Sequence, residues 1–253
     1  MQLNDHGPEV GNLQRFLRDL GYTDPDERVL VDDEAFGRRT EYAVRAWQHA
    51  FGLSVTGVLG TEDRVLARSL DFVPFVSAKH QHVLWPVRRK TTDLLVVHVM
   101  ENPEKPEAAE DVALWFAGRS SFEAPVASCH FCVDSNSVVQ CVREGDVAWH
   151  APGANHNGIG IEHAGRSEQT AADWSDSYST AMLEISAKLA AKLAAAYNIP
   201  IAWIAPDELR AGVRGFTSHV NVSLAFGKSD HTDPGQHFPV ERYLERVRAY
   251  HRV

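Results

Sequence analysis

The sequence predicts an α/β fold with a central mixed β-sheet flanked by helices, preceded by a small three-helix domain. Apolar residues in the first part of the chain recur at three- and four-residue spacing, which is typical of amphipathic helices. From residue 91 onward, strand-like apolar segments alternate with helical ones, which is typical of an α/β domain. The segment between them contains Pro74 and Pro86 and has few periodic apolar positions. We therefore predict domains at 1–72 and 91–253, joined by a linker at 73–90.

The composition is that of a globular protein and restricts the classes of partner. Of the 253 residues, 44% are hydrophobic and 23% are charged, and the formal net charge is −9. An acidic balance of this size argues against nucleic acid or an anionic membrane as a partner. The N-terminus lacks the basic start and apolar core of a signal peptide. We expect a monomer that is synthesised in the cytoplasm, without a membrane partner.

Two longer helices and one short helix are predicted in residues 7–70. Gly21 and Gly52 end the longer ones, because glycine readily adopts the left-handed conformation that closes a helix. Thr61 caps the start of the third helix. The apolar positions that define the three helices are Val10, Leu13, Leu17 and Leu20, then Ala43, Val44, Trp47 and Phe51, then Val65, Leu66 and Leu70. The two longer helices with their glycine-ended loops resemble a duplicated helix–loop unit.

This first domain also follows a more specific pattern of glycine, apolar and glutamine positions. It runs Gly7-x-x-Val10-x-x-Leu13-Gln14-x-x-Leu17-x-x-Leu20-Gly21-Tyr22, then Phe36-Gly37-x-x-Thr40-x-x-Ala43-Val44-x-x-Trp47-Gln48, then Gly52-Leu53-x-x-x-Gly57-x-x-Gly60. With this pattern the domain resembles the peptidoglycan-binding domain family found on cell-wall hydrolases. Trp47 stands where that family usually has phenylalanine. The resemblance implies peptidoglycan as a partner, and the alternative is a three-helix bundle of another purpose.

In the second domain, the segment Leu94–Met100 is apolar on both faces and predicts a central buried strand. Segments 126–133 and 138–142 alternate around Asp134-Ser135-Asn136-Ser137, which predicts a hairpin. Helices are predicted at 104–117, at 174–197 and at 239–250. A histidine within a buried strand needs partners for its nitrogens. Taken alone, His98 is therefore more consistent with a hydrogen-bonded core histidine than with a metal ligand.

A further strand is predicted at Gly158–His163. Its alternation places Ile159 and Ile161 on the packed face and Glu162 on the other. Gly160 is expected to leave room above the Glu162 face for a ligand. His163 is expected to face away from Glu162.

Residues 215–235 hold two histidines and two aspartates but show little helical or strand pattern. Pro234-Gly235 forces a turn that fixes where the carboxylate of Asp233 points. A bound metal would keep such a segment ordered, and a catalytic zinc takes three nitrogen or oxygen ligands and a water. His219 and Asp233 can supply two of them, and His98 is the candidate for the third. Asp230 and His231 stay open as rival ligands.

Cys129, Cys132 and Cys141 form no disulfide framework, because their number is odd and they are clustered. Cys129 and Cys132 have CxxC spacing, but no second CxxC completes a zinc site. We predict that the three cysteines are small buried hydrophobic residues.

Five motifs in the second domain occur in a fixed order. They are Val96-Val97-His98, Ala148-Trp149-His150-Ala151, Gly158-Ile159-Gly160-Ile161-Glu162, Gly215-x-x-x-His219 and Asp233-Pro234-Gly235. In this order they resemble the zinc-dependent N-acetylmuramoyl-L-alanine amidases of type 2, which are related to peptidoglycan recognition proteins. The resemblance covers about 91–240, and the variant His231-Thr232-Asp233-Pro234-Gly235 resembles actinobacterial phage endolysins.

The resemblance implies roles for individual residues. His98, His219 and Asp233 correspond to the ligands of one Zn²⁺, and Glu162 corresponds to the catalytic glutamate. His231 is implied as a second catalytic residue that stabilises the oxyanion, because it stands where many relatives have lysine. Trp149 and His150 stand where relatives have the same residues and are implied to line or support the substrate cleft. Asn155 and Asn157 lie in a polar loop before the glutamate strand and are predicted to contact substrate. A structural role for Trp149 and a solvated loop at 155–157 stay open as alternatives.

The implied function is hydrolysis of the amide bond between N-acetylmuramic acid and the L-alanine of the stem peptide. The implied setting is a phage or prophage endolysin, a bacteriolytic and antimicrobial enzyme that degrades the cell wall after holin-dependent release. Two alternatives stay open. One is a peptidoglycan-recognition protein that binds without cutting, and the other is an amidase that acts on soluble muropeptides in wall recycling.

Overall fold

The structure is a computed structural model that describes residues 1–84 and 91–251. The chain divides into two compact units, Met1–Phe75 and Val76–Val253. Among the described residues, none of the helices combines the length and the apolar character needed to cross a bilayer.

The first unit is built from three helices. They are α1 Pro8–Asp19, α2 Arg38–Ala50 and α3 Thr61–Ser69. The apolar faces of α1 and α2 meet around Trp47, whose ring lies 6.0 Å from that of Phe16 in an edge-to-face arrangement. The three predicted helices are therefore confirmed. Val65, which the apolar pattern places on the inward face of α3, is instead 68% exposed.

Two buried glutamines, Gln14 and Gln48, make equivalent connections in the first unit. The Nε2 of Gln14 donates to groups of residues 33–40, and its Oε1 accepts from the backbone N–H of Glu34. The Nε2 of Gln48 donates to groups of residues 56–63, and its Oε1 accepts from two backbone N–H groups there. Each glutamine thus fastens the loop that follows its own helix. This equivalence supports the predicted duplication of the helix–loop unit.

The second unit is built on a five-stranded sheet with helices packed against it. Its strands are β1 Gln81–His82, β2 Leu94–Val99, β3 Phe131–Val133, β4 Val138–Gln140, β5 Val147–Ala148, β6 Gly158–His163 and β7 Gly215–Ser218. Its helices are α4 Ala108–Phe116, α5 Ser177–Tyr197, α6 Pro206–Arg210, α7 His219–Phe226 and α8 Val240–His251.

The strand order of the main sheet is β4-β3-β6-β2-β7, and β1 and β5 form a separate two-stranded sheet. The pair β3–β4 is antiparallel, whereas the other pairs of the main sheet are parallel. The prediction of a central mixed sheet flanked by helices is confirmed. The predicted hairpin is also confirmed, although its first strand is shorter than expected. Every residue of β2 is buried, as a strand in the interior of the sheet requires.

The segment predicted as a linker, 73–90, is partly a component of the second unit. The backbone N–H of Val76 donates to Gln140, that of Ala78 donates to Cys141, and β1 pairs with β5. The boundary between the units therefore falls at residue 75. The paired stretches at 76–82 are too short and too polar to show a strand pattern in the sequence. The rest of the predicted linker, 85–90, lies outside the described residues.

The segment 215–235, expected to be irregular, contains regular structure. Its first part is β7, and α7 follows immediately, with the side chain of Ser218 accepting from the N–H of Asn221 as a helix cap. The strand is only four residues long and the helix eight, which is too short for either period to show in the sequence.

Helix α5 turns a different face inward than its large apolar residues suggest. Tyr178 and Ile185 belong to its periodic series of large apolar residues, and both are only partly buried. The buried face is formed mainly by small residues: Ser179, Met182, Leu183, Ser186, Ala187, Ala190, Ala191, Leu193 and Ala194. Serine and alanine let a helix approach its neighbours closely, so burial here follows size as well as hydrophobicity.

Candidate metal and catalytic site

Three buried side chains from separate parts of the second unit meet at one point. His98 lies near the end of β2, His219 begins α7, and Asp233 follows in a loop. Their ligand atoms all lie within 4.8 Å of one another. The Nδ1 of His98 lies 3.1 Å from Oδ2 of Asp233, and the Nδ1 of His219 lies 3.1 Å from Oδ1 of the same carboxylate. The structure thus brings together the three residues proposed from the sequence as metal ligands.

Backbone contacts on both sides fix the position of Asp233. The N–H of Val220, in the first turn of α7, donates to the carbonyl of Asp233 over 3.0 Å. Two residues further on, Gly235 has φ +86° and approaches the backbone of Ser167 so closely that a Cβ would lie 1.8 Å from its carbonyl oxygen. Because only glycine fits there, the Pro234-Gly235 turn holds the carboxylate against the two histidines.

The charge states of the cluster suit a cation. Burial alone would raise the pKa of Asp233, but the adjacent imidazoles of His219 and His98 outweigh burial and hold it well below its usual range. Burial lowers the pKa of His98, although Asp233 opposes this effect. An ionised carboxylate beside two imidazoles is the donor set that zinc prefers in sites with an open fourth position. The residues present therefore fit a zinc ion.

Glu162 lies next to this cluster, on the same face of the sheet as His98. The two residues are in register on the parallel neighbours β2 and β6. Burial, and next the negative charge of Asp233, raise the pKa of Glu162 well above its usual value. Its Oε2 is buried and has no hydrogen-bond partner within the described residues. A carboxyl group in this position can act as a general base and then as a general acid.

His231 lies at the outer edge of the cluster. Its side chain is 62% exposed, and its Nδ1 lies 3.6 Å from Oδ1 of Asp233. Its ring is stacked on that of His219, with centroids 4.3 Å apart. Asp230 is also exposed. Of the candidate ligands named from the sequence, His98, His219 and Asp233 have ligand atoms close enough to bind one ion. His231 lies beside this cluster and is not part of it.

His150 was predicted to line or support the substrate cleft, and it is buried directly behind His98. Its Nδ1 lies 3.0 Å from Nε2 of His98, and its Nε2 lies 3.3 Å from the carbonyl oxygen of Gly158. Burial, and next the neighbouring histidines, hold its pKa well below the usual value. The space that Gly160 was expected to leave for a ligand is filled, since a Cβ there would lie 2.8 Å from Nδ1 of His150. Gly160 therefore makes room for an imidazole of the protein itself.

The other predicted substrate-binding residues make contacts within the protein. The side-chain oxygen of Asn155 accepts from the backbone N–H groups of His150 and Ala151, which shapes the turn before β6. Asn157 donates to the carboxylate of Asp93 over 3.2 Å. Trp149 is partly buried, and its ring lies 5.7 Å from that of His80.

His163 supports the backbone of His98 from the opposite face of the sheet, a role that the sequence did not reveal. Its Nδ1 lies 3.0 Å from the carbonyl oxygen of His98, and its Nε2 lies 2.6 Å from Oγ of Ser186. The hydroxyl of Tyr243 continues the chain at 2.8 Å from Oγ of Ser186. Because a carbonyl only accepts, Nδ1 of His163 is the donor and Ser186 donates to Nε2. Burial lowers the pKa of His163 from 6.5 to about 4, so the ring is neutral at pH 7.

The three cysteines are all buried and form no disulfide with one another, as predicted. The Sγ atoms of Cys132 and Cys141 lie 3.8 Å apart. Burial, more than any neighbouring group, raises the pKa of Cys129 and of Cys132 well above the usual value. They pack in the core between α4 and the sheet.

The sheet, its flanking helices and the buried histidine–aspartate cluster beside a glutamate have the arrangement of a candidate metal-dependent hydrolase, and two family models match the chain. Residues 88–236 match the model described as N-acetylmuramoyl-L-alanine amidase. Residues 6–62 match the model described as putative peptidoglycan binding domain. The chain belongs to the N-acetylmuramoyl-L-alanine amidase family and carries an N-terminal peptidoglycan-binding domain. Both resemblances proposed from the sequence are therefore confirmed at the level of the family.

The chain is also similar to individual proteins. The chain is 32% identical over 172 residues to N-acetylmuramoyl-L-alanine amidase A of Achromobacter lyticus, a match that covers 62% of this chain and 83% of the relative. Among solved structures, it is similar to the Staphylococcus aureus hydrolase AmiA in complex with its ligand, with a TM-score of 0.49 and 14% identity over 76% of this chain and 91% of that one. The N-acetylmuramoyl-L-alanine amidase LysC from Clostridium intestinale URNW has a TM-score of 0.44 and 17% identity, over 69% and 97% of the two chains.

Proposed function

We propose that this amidase is a zinc-dependent peptidoglycan hydrolase that cleaves the bond between N-acetylmuramic acid and the L-alanine of the stem peptide. The observation that carries the proposal is the buried cluster of His98, His219 and Asp233, whose ligand atoms lie within 4.8 Å of one another. A zinc ion held there would lower the pKa of a bound water toward about 7 and polarise the carbonyl of the scissile amide.

Glu162 supplies the proton transfer in this proposal. Its carboxylate accepts the proton of the attacking water and then passes it to the departing L-alanine nitrogen, because an amine leaves poorly unless it is protonated. Burial and the charge of Asp233 raise its pKa, which makes the carboxylate a stronger base than an exposed glutamate. The buried Oε2 makes no hydrogen bond within the described residues and so is available for this transfer.

His231 is the second catalytic residue in this proposal. Stacking on His219 keeps its ring at the open edge of the cluster, and its large exposed fraction leaves an N–H free to reach a substrate. Donation from this N–H stabilises the oxyanion that forms when water adds to the amide carbonyl. Trp149 is partly exposed and can contact the substrate nearby, whereas His150, Asn155 and Asn157 serve mainly to build the site.

The peptidoglycan-binding domain gives the enzyme a second attachment to the same polymer. Attachment through one domain raises the effective concentration of substrate around the other without any new catalytic contact. This organisation favours polymeric wall as the substrate over the soluble muropeptides of wall recycling. The filled set of ligand positions, together with Glu162, favours hydrolysis over recognition without cutting.

We also propose that the protein acts as a monomeric phage or prophage endolysin, made in the cytoplasm and released to the wall through a membrane pore. A wall-binding domain and a wall-cutting domain on one chain support this role. Expression in a host bacterium tests it: lysis is expected when a pore-forming holin is produced with the enzyme and not when the enzyme is produced alone. Lysis without the holin would contradict the release step.

The main test is digestion of purified cell wall by the zinc-loaded protein. Mass spectrometry is expected to find stem peptides with free L-alanine amino termini and intact glycan chains, and a chelator is expected to abolish their release. Soluble muropeptides serve as the comparison, and we expect them to be cleaved more slowly than polymer. New glycan ends or cuts within the peptide would contradict the proposed bond. Faster cleavage of soluble fragments would favour the recycling alternative.

A further inference from the structure

We infer that His150 is a positioning residue that sets the tautomer of His98 and thereby the metal affinity of the site. The inference rests on the proposed role of His98 as a zinc ligand. Its basis is a hydrogen-bonded chain of three groups, which runs from Nε2 of His98 to Nδ1 of His150 over 3.0 Å and from Nε2 of His150 to the carbonyl of Gly158 over 3.3 Å.

The direction of this chain follows from its last member. A backbone carbonyl can only accept, so Nε2 of His150 carries a proton and donates it. In a neutral imidazole the other nitrogen is then an acceptor, so Nδ1 of His150 receives a hydrogen bond. The donor is Nε2 of His98, which leaves the lone pair of its Nδ1 pointing toward Asp233. Nδ1 of His98 is therefore the atom that can bind a cation.

The contact between His98 and the Asp233 carboxylate supports this reading of the chain. With a lone pair on Nδ1, two acceptors face each other over 3.1 Å, an arrangement that a cation between them satisfies. The orienting partner of a metal-binding histidine is usually a carboxylate, a carbonyl or a water. Here the imidazole of His150 takes that place, and it in turn donates a hydrogen bond to the carbonyl of Gly158.

The surroundings of His150 are built to hold its ring in one orientation. The side chain is buried, and its backbone N–H donates to Oδ1 of Asn155 over 3.0 Å. At Gly160 an added Cβ would lie 2.8 Å from Nδ1 and 2.9 Å from Cγ of His150. The residue of β6 behind the ring must therefore have no side chain. The ring of His130 meets it edge-on with centroids 5.5 Å apart. These contacts fix the ring, and the fixed ring orients His98.

Two variants whose side chains have the same number and branching of heavy atoms separate the hydrogen bond from the packing. His150→Leu fills part of the space but offers no acceptor to His98. His150→Asn places Oδ1 where Nδ1 of the histidine stood, and it can accept from His98. Neither variant reaches the carbonyl of Gly158, so both lose that contact equally. The difference between them measures the acceptor alone.

The measurement is the dissociation constant for zinc, obtained with the full chain by competition against a chromophoric chelator. We expect His150→Leu to raise the constant roughly 10- to 100-fold, and His150→Asn to recover most of the loss. Thermal unfolding of the metal-free proteins reports whether each variant is folded. Equal zinc affinity in wild type and His150→Leu would overturn the inference. Equally weak affinity in both variants would also overturn it, because the role of His150 would then be one of packing.

A second readout does not depend on the metal. In protein with ¹⁵N-labelled histidine, two-bond proton–nitrogen couplings identify which ring nitrogen carries the proton. We expect Nε2 of His98 to be protonated in the wild type and in His150→Asn, and this preference to be lost in His150→Leu. A wild-type His98 protonated on Nδ1 would overturn the inference. If the wild-type protein bound no zinc, the proposed function would be contradicted. The coupling measurement would still test the tautomer of His98, so failure of the proposed function can be told apart from failure of this inference.

Discussion

The rings of His219 and His231 lie nearly parallel, with an angle of 14° between their planes and 4.3 Å between their centroids. One of these rings is buried in the cluster with Asp233, and the other is largely exposed. Two histidines in direct contact therefore differ in their exposure to solvent. One can hold a metal, and the other can meet a substrate.

Replacement of His231 by alanine is expected to lower kcat roughly 10²-fold, because one donor to the oxyanion is lost. Zinc content is expected to stay at the wild-type value, since the three ligand atoms are untouched. Hydrolysis of purified wall and metal analysis of the same sample measure the two effects. His237→Ala, which alters an exposed histidine in the same loop, is the control. Loss of stoichiometric zinc from His231→Ala would show that His231 is a ligand.

The Glu162→Gln variant is expected to lose about 10²- to 10⁴-fold in kcat, because an amide cannot accept and return a proton. Zinc binding should be retained, since Glu162 is not among the ligand trio. Glu168→Gln, a change of the same kind at an exposed position, provides the comparison. A Glu162→Gln enzyme with wild-type kcat would exclude the proposed proton transfer.

Substitution of Asp233 by alanine is expected to abolish both zinc binding and hydrolysis, because the carboxylate connects the two imidazoles. Asp230→Ala, three positions earlier and exposed, is expected to keep both. Metal analysis after dialysis, followed by a wall-digestion assay, tests the pair. If Asp230→Ala lost the metal and Asp233→Ala kept it, the ligand assignment would be reversed.

In the first unit, Gln48→Leu is expected to destabilise the domain by about 3 kcal/mol, because it leaves buried backbone groups of the following loop without partners. Binding to sedimented wall is expected to weaken, whereas cleavage of a soluble muropeptide should be unchanged. Tyr42→Ala, at a position 47% exposed on the same helix, is the control. Thermal unfolding and co-sedimentation measure the two effects, and an unchanged melting temperature would refute the role of Gln48.

Stability should depend on pH through His163. Its pKa is 6.5 in an unperturbed chain and about 4 in the folded protein, where burial keeps the ring neutral. Between these values the unfolded chain binds a proton that the folded chain does not, so stability falls as the pH drops from 6.5 to 4. The full effect is about 3 kcal/mol.

His163→Gln removes this contribution, so the stability gap between wild type and variant is expected to narrow as the pH falls. Urea unfolding of the metal-free proteins at pH 7 and at pH 4.5 measures the gap. A gap that is the same at both values would mean that His163 titrates alike in the folded and unfolded chains.

The sequence alone was sufficient to predict the overall fold and to propose His98, His219 and Asp233 as one ligand set. Apolar periodicity and short motifs can be recognised within a few consecutive residues, without knowledge of the residues that pack against them. It was insufficient where the outcome depends on what packs opposite a residue. His150 has a partner 52 positions away, and that partner determines that it supports His98 rather than facing substrate. The inward face of α5 likewise depends on how closely its alanines can approach the sheet and α8.

The parallel pairing of β2 with both β6 and β7 has a consequence for when the enzyme becomes active during its own synthesis. Histidine and carboxylate donors 135 positions apart must be adjacent before a metal can be held. A growing polypeptide that has not yet emerged beyond Asp233 lacks one of the three donors. A fragment that stops before Asp233 therefore lacks the carboxylate that faces both histidines, and we expect it to be inert toward the wall.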